Sequence, residues 1–103
     1  MTKALENFLL CIDEKRYYDA HEVLEVIWFP RRSEQDNEMK LLKGFINASV
    51  SFELIKRGRP QASKRVWTNY LKYRQYLYKI ESSYLNNYHY VARHIENINM
   101  QIR

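Results

Sequence analysis

The string His21-Glu22-Val23-Leu24-Glu25 holds the side chains of this chain best suited to chemistry. Each residue of a helix turns about 100° from the last, so His21, Glu25 and Trp28 fall on one flank, with Glu22 farther toward solvent. An imidazole and a carboxylate four residues apart can grip one cation, or can pair so that the carboxylate orients the ring. The string echoes the His-Glu-x-x-His zinc helix, with Glu25 in place of the second His. A zinc site needs at least a third ligand, and no second motif supplies it. The Glu-x-x-His spacing of di-iron carboxylate bundles is absent as well. His21 and Glu25 are therefore candidate metal ligands for a divalent ion, the one cofactor the residues suggest. His21 with Glu22 or Glu25 would be the acid/base pair of a metal-assisted, hydrolase-like enzyme. The plainer alternative is that His21 and Glu25 satisfy partners where two helices pack.

Other polar residues lie on stripes that should face inward. Glu53 shares a stripe with Leu42, Ile46 and Val50, where a bare carboxylate is costly to bury. Asn47 interrupts the same apolar segment. Arg74 lies roughly 40–60° from the stripe of Tyr70 and Leu77 by helix geometry. A half-buried Arg calls for a carboxylate, and Glu25 or Glu53 could supply it. The expectation is an internal polar cluster of His21, Glu25, Asn47, Glu53 and Arg74. The alternative has Glu53 and Arg74 reaching solvent at helix margins.

Five helices would position these groups. The first spans about residues 2–14, with Leu5, Phe8, Leu9 and Ile12 at helical spacing. Lys15 and Arg16 form a joint. The second covers about residues 18–28 and stops before Pro30, which disfavours helical geometry in the preceding residue. Ser33 is the expected N-cap of a third helix over residues 34–57, with Glu34 and Asp36 suited to its first turn. From Met39 to Ile55 this helix is apolar nearly all round, the pattern of a helix central in its bundle. Gly58 fits the position just past its end, and Pro60 the opening turn of a fourth helix over residues 61–84. Ser82, Ser83, Asn86 and Asn87 loosen the chain before a last helix over residues 88–101. The fold class is all-α: one helical domain over residues 1–103, a compact bundle of about five helices around an apolar third.

Composition narrows the function. The chain has 103 residues, 46% hydrophobic and 28% charged, which is the balance of a globular chain. Two glycines and two prolines are too few for a β-sandwich or barrel, and no glycine-rich phosphate loop is present. Cys11, the only cysteine, has no internal disulfide partner and sits among Leu9, Leu10 and Ile12, where it reads as a small buried hydrophobe. No stretch approaches the roughly 20 apolar residues of a membrane span, and the N-terminal apolar run is too short for a signal peptide. A cytoplasmic location without membrane attachment is expected.

Two stretches carry a family resemblance. Tyr17-Tyr18-Asp19-Ala20-His21-Glu22-Val23-Leu24-Glu25-Val26-Ile27-Trp28 sets an aromatic residue before Ala-His-Glu, followed by a Glu and a Trp. Leu41-Leu42-Lys43-Gly44-Phe45-Ile46-Asn47, followed by Arg57-Gly58 and Ala62, gives a glycine-bearing helix that ends in Arg-Gly. Together these resemble the two signatures of domain-of-unknown-function family 309. The resemblance implies a compact all-helical domain with no established activity. It also implies Gln where this chain has Lys43 and Asn47, and often a His where it has Leu54.

A basic, aromatic surface is the remaining feature. Lys and Arg total 17 against 12 Asp and Glu, for a net charge of +5. Nine tyrosines accompany them, and Tyr70, Tyr73, Tyr84 and Tyr88 fall on core stripes. Tyr76 and Tyr78 are harder to bury together, and with Lys72 and Lys79 they could stack on and neutralise a nucleic acid. They fit a homo-oligomer interface equally, since Tyr, Trp and Arg are enriched there. Arg31 and Arg32 beside a helix start could hold an anion. Three classes of function stay open: a binding or interaction module with a polar cluster around His21 and Glu25 between helices, a metal-assisted enzyme, and a nucleic-acid binder. The module is the expected one, its small-molecule or macromolecular ligand unspecified.

Overall fold

The computed structural model describes residues 1–34 and 36–103, which form five α-helices and, among the described residues, no strand. Helix α1 covers Thr2–Asp13, α2 Tyr17–Trp28, α3 Asn37–Lys56, α4 Pro60–Arg74 and α5 Leu85–Ile102. A short 3-10 turn, Phe29–Arg31, follows α2, and another, Gln75–Tyr78, follows α4. Helices α1 to α4 pack consecutively, α1 on α2, α2 on α3 and α3 on α4, and α5 returns to touch α1 and α3.

Helix α3 is the axis of the bundle, as its pattern predicts. Leu41, Leu42, Phe45, Ala48 and Phe52 have no exposed surface. The rings of Phe8, Tyr70 and Tyr88 stand around Phe45 with centroids 6.1–6.5 Å away. Three serines are wholly buried without stranding a hydroxyl: Ser49 and Ser51 donate to carbonyls one turn back in α3, and Ser63 of α4 donates to the carbonyl of Ser51 at 2.6 Å. That last bond stitches α4 to α3. Cys11 is buried, as its apolar surroundings predict.

Glycine has a specific task at the same seam. A Cβ on Gly44 would stand 2.8 Å from the Cβ of Tyr73, nearer than side chains approach, so its absence lets α4 lie directly on α3. Substituting Gly44→Ala adds helix propensity worth about 1 kcal/mol but overpacks the seam by about 1–3 kcal/mol. The expected net loss is about 1 kcal/mol, a fall of roughly 4–8 °C in melting temperature measurable by circular dichroism.

The helix ends follow local chemistry, with corrections to the expected boundaries. Gly58, at φ +74°, closes α3: its N–H bonds the Ile55 carbonyl and that of Arg59 the Leu54 carbonyl. Lys15 closes α1 in the same way at φ 60°, an uncommon conformation for a residue with a Cβ. The cap of α3 is Asp36 rather than Ser33; its carboxylate accepts from the Glu38 N–H at 2.8 Å. The expected start at residue 34 thus falls in the preceding loop, where Glu34 and Asp36 both bond Arg31. Helix α4 stops at Arg74, ten residues before its expected end at 84, and α5 begins at Leu85 rather than 88. Among the described residues no helix is long and apolar enough to cross a membrane.

Candidate functional site

The flank of α2 meets α3 at a hollow of about 200 Å³ lined by Tyr17, Tyr18, His21, Val50, Glu53, Leu54 and Arg57. Residues 17, 18 and 21 share a face because they are three and four apart, as do 50, 53, 54 and 57. Tyr17 is buried against Phe52 with ring centroids 5.6 Å apart, and its ring floors the hollow. Burial, then the nearby Glu53 carboxylate, pushes the Tyr17 phenol up from its usual pKa. Tyr18 is half exposed, its ring edge-on to the imidazole of His21 at 5.3 Å. The Glu22 carboxylate beside the Tyr18 phenol raises its pKa as well.

His21 is held from both sides. Its Nδ1 lies 3.2 Å from the carbonyl oxygen of Tyr18 and its Nε2 2.5 Å from Glu25 Oε2. Both neighbours carry oxygen acceptors, and between them they fix the orientation of the ring. This anchors the imidazole along its own helix, at the wall of the hollow it lines. Glu53 is similarly occupied: its Oε2 accepts from Arg57 Nε at 2.7 Å, while most of the Arg57 side chain reaches solvent. The wall therefore carries two side-chain pairs, each bonded within its own helix, over an apolar floor.

The other expected members of the cluster lie elsewhere. Asn47 turns back and donates to the Lys43 carbonyl of its own helix at 2.8 Å. Arg74 pairs with neither Glu25 nor Glu53; its Nη1 meets Glu96 Oε1 of α5 at 3.0 Å, and the Tyr70 hydroxyl donates to the other oxygen of that carboxylate at 3.0 Å. Trp28 is on the His21 flank by angle, but seven residues advance a helix about 10 Å. Its indole lies under Lys43 Nζ at 4.3 Å and faces a separate hollow with Tyr73. Glu22 is exposed, as its angle predicts. The expected five-residue cluster is thus three separate pairs and one backbone bond, because each side chain finds its partner one turn away on its own helix or, for Arg74, on α5.

The basic, aromatic group also divides. Tyr76 is partly buried between Lys40 and Lys79, whose ammonium groups stand 5.2 and 5.5 Å from its ring centroid. Tyr78 is exposed on the other side, edge-on to His89 at 5.8 Å, where a broad polar hollow of about 520 Å³ also takes in Arg74, Arg93 and Glu96. Lys72 covers Tyr73 at 5.6 Å. Lys79 also donates to Gln75 Oε1 at 3.2 Å. Arg31 is neutralised by Glu34 and Asp36, and Arg32 lies over Phe29 at 3.7 Å instead of framing an anion site at a helix start.

Among the described residues no group of three or more His, Cys, Asp or Glu side chains could hold a metal ion. His21 and Glu25 stand as a pair, with the imidazole Nε2 turned to the carboxylate.

A family model, Domain of unknown function (DUF309), matches residues 5–66. The chain belongs to this family. The match runs from α1 through α3 into the first turns of α4, so the hollow at His21 lies wholly within the family's segment, whereas Arg74, Tyr78, His89 and Glu96 lie outside it. No curated protein and no solved structure matches the chain. Leu54, where the resemblance implies a His, lines the same hollow as His21. Tyr17, Tyr18, Val50 and Arg57 were not expected site residues; their spacing from His21 and Glu53 is the signal that could have found them.

Proposed function

We propose that the chain is an interaction module whose α2–α3 hollow takes one apolar side chain of a protein partner. The observation that carries this reading is the hollow itself: an apolar floor of Tyr17, Val50 and Leu54, rimmed by polar pairs already bonded to one another. Its volume, about 200 Å³, falls below the roughly 300–1,000 Å³ of pockets that enclose a drug-sized molecule. An anchor residue ringed by polar contacts is the usual energetic centre of a protein interface. The free N–H groups of Arg57 favour an acidic residue beside the anchor, since guanidinium pairs carboxylate in a fixed fork. His21 and Glu25 would shape the rim, and neither has to exchange a proton.

Selection of a displayed peptide library against the protein tests this. Enriched peptides are expected to share an aromatic or aliphatic residue next to Asp or Glu, and to lose at least tenfold in affinity for Leu54→Lys, about 1.4 kcal/mol. His21→Ala should weaken the same peptides while changing stability by less than about 1 kcal/mol, because an i,i+4 pair at the surface contributes only ~0.3–0.5 kcal/mol. Peptides that bind Leu54→Lys as well as the unmodified chain would sink the reading.

A further inference from the structure

Five cation–aromatic contacts gather on one side of the bundle, away from the α2–α3 hollow. Lys43 covers Trp28, Lys72 covers Tyr73, Lys40 and Lys79 flank Tyr76, and Arg32 covers Phe29. The contacts are continuous. Trp28, Lys40, Lys43 and Tyr73 line one hollow of about 240 Å³, and Tyr73 and Tyr76 lie 6.4 Å apart, centroid to centroid. Three elements meet here: the end of α2, the start of α3 and the end of α4 with its 3-10 turn. Gly44 holds them together by letting Tyr73 lie flush on α3.

The charge on this belt is one-sided. Among the described residues, Arg32, Lys40, Lys43, Lys72 and Lys79 take part in no ion pair. Glu34 is the one carboxylate lining the hollow, and Arg31 already holds it at 2.6 Å. Glu38 is turned inward to the hydroxyls of Ser82 and Tyr88. Ring faces keep the lysines in place electrostatically without neutralising them. An ammonium so held has lost part of its freedom before any anion arrives, which lowers the ordering cost of binding.

We propose that this belt, built on Trp28, Lys40, Lys43, Lys72, Tyr73 and Tyr76, binds single-stranded nucleic acid. Interleaved cations and rings match a strand whose phosphates recur along a flexible backbone and whose bases are free to stack. A duplex would hide those bases and leave the rings unused. The surface differs from the group expected from sequence, since Tyr78 faces away and Trp28, Lys40 and Lys43 take its place. It is independent of the α2–α3 hollow.

Fluorescence anisotropy with a labelled oligo(dT) or oligo(U) of about 15 nucleotides, near the upper size of one single-strand site, tests the assignment. With four or five phosphates neutralised, log affinity should fall against log salt with a slope of about −3. The triple variant Lys40→Gln, Lys43→Gln, Lys72→Gln should lose at least tenfold in affinity and flatten that slope to about −1. Leu54→Lys should bind the oligonucleotide undiminished even if it abolishes peptide binding, so the two readings fail separately. A melting curve for the triple variant within a few degrees of the unmodified protein assigns its loss to the surface; if that variant melts early, Lys72→Gln alone, on an exposed side chain, should still flatten the slope. Binding that ignores salt, survives the triple variant, favours duplex, or is displaced equally by polyglutamate would overturn the proposal.

Discussion

Phe45→Ala should cost about 3–5 kcal/mol, the largest loss expected from any single truncation in the chain. Phe45 has no exposed surface and, among the described residues, is the only ring contacted by aromatic side chains of α1, α4 and α5 together. Its removal would leave a cavity that no one helix can close, because Phe8, Tyr70 and Tyr88 are each anchored by their own neighbours. Tyr70 and Tyr88 are tied by their hydroxyls to Glu96 and Glu38, so neither can move in without breaking a bond. Partial relaxation is what makes such truncations exceed the transfer energy of the lost atoms. Against a total stability of about 5–15 kcal/mol, the variant would be marginal at ordinary temperature. Urea denaturation followed by circular dichroism measures the loss. Leu10→Ala is the matching control: Leu10 is 53% exposed, so its loss should stay within about 0.5 kcal/mol. A similar shift for both variants would show that α3 is not the axis.

The central place of α3 was legible because its signal is local and redundant. Leu41, Leu42, Phe45, Ile46 and Phe52 leave no wet face, and Gly58 with Pro60 marks the end. Boundaries without such punctuation were not legible. Tyr76, Leu77 and Ile80 continue the apolar spacing of α4 past Arg74, and no Gly or Pro interrupts them, so only tertiary packing shows that α4 gives way to a 3-10 turn. Ser33 and Asp36 are equally good caps by residue type. The site divides in the same way. His21 with Glu25 was visible because an i,i+4 pair lies within one helix, and Glu53 with Arg57 obeys the same rule although a remote partner was expected. Arg74 with Glu96 was not visible. Nothing in the spacing of two residues on different helices says which carboxylate of the chain will arrive beside a given guanidinium. The belt of ring-bound lysines is hidden for that reason too, since Lys43 and Trp28 belong to different helices.

Tyr70 and Tyr88 should resist ionisation until alkali unfolds the protein. Burial is the chief cause that raises both phenols far above their usual value of 10.0. The carboxylates that accept their hydrogen bonds reinforce it: a phenolate at Tyr70 would face Glu96, and one at Tyr88 would face Glu38, like charge against like charge. In the unfolded chain the same phenols titrate near pH 10. The stabilising effect of keeping them protonated is therefore complete below pH 10 and drains away as pH rises beyond it, because the unfolded state releases protons that the native state retains. Tyrosinate absorbance followed together with helical circular dichroism as pH rises measures this. The last two phenols should appear only together with the loss of that signal. Because burial is the chief cause, Glu38→Gln should leave Tyr88 sealed against ionisation in the folded protein. Ionisation of all nine tyrosines in one smooth phase, with the helices still folded, would contradict the sealed positions of Tyr70 and Tyr88 at the two ends of the Phe45 cluster.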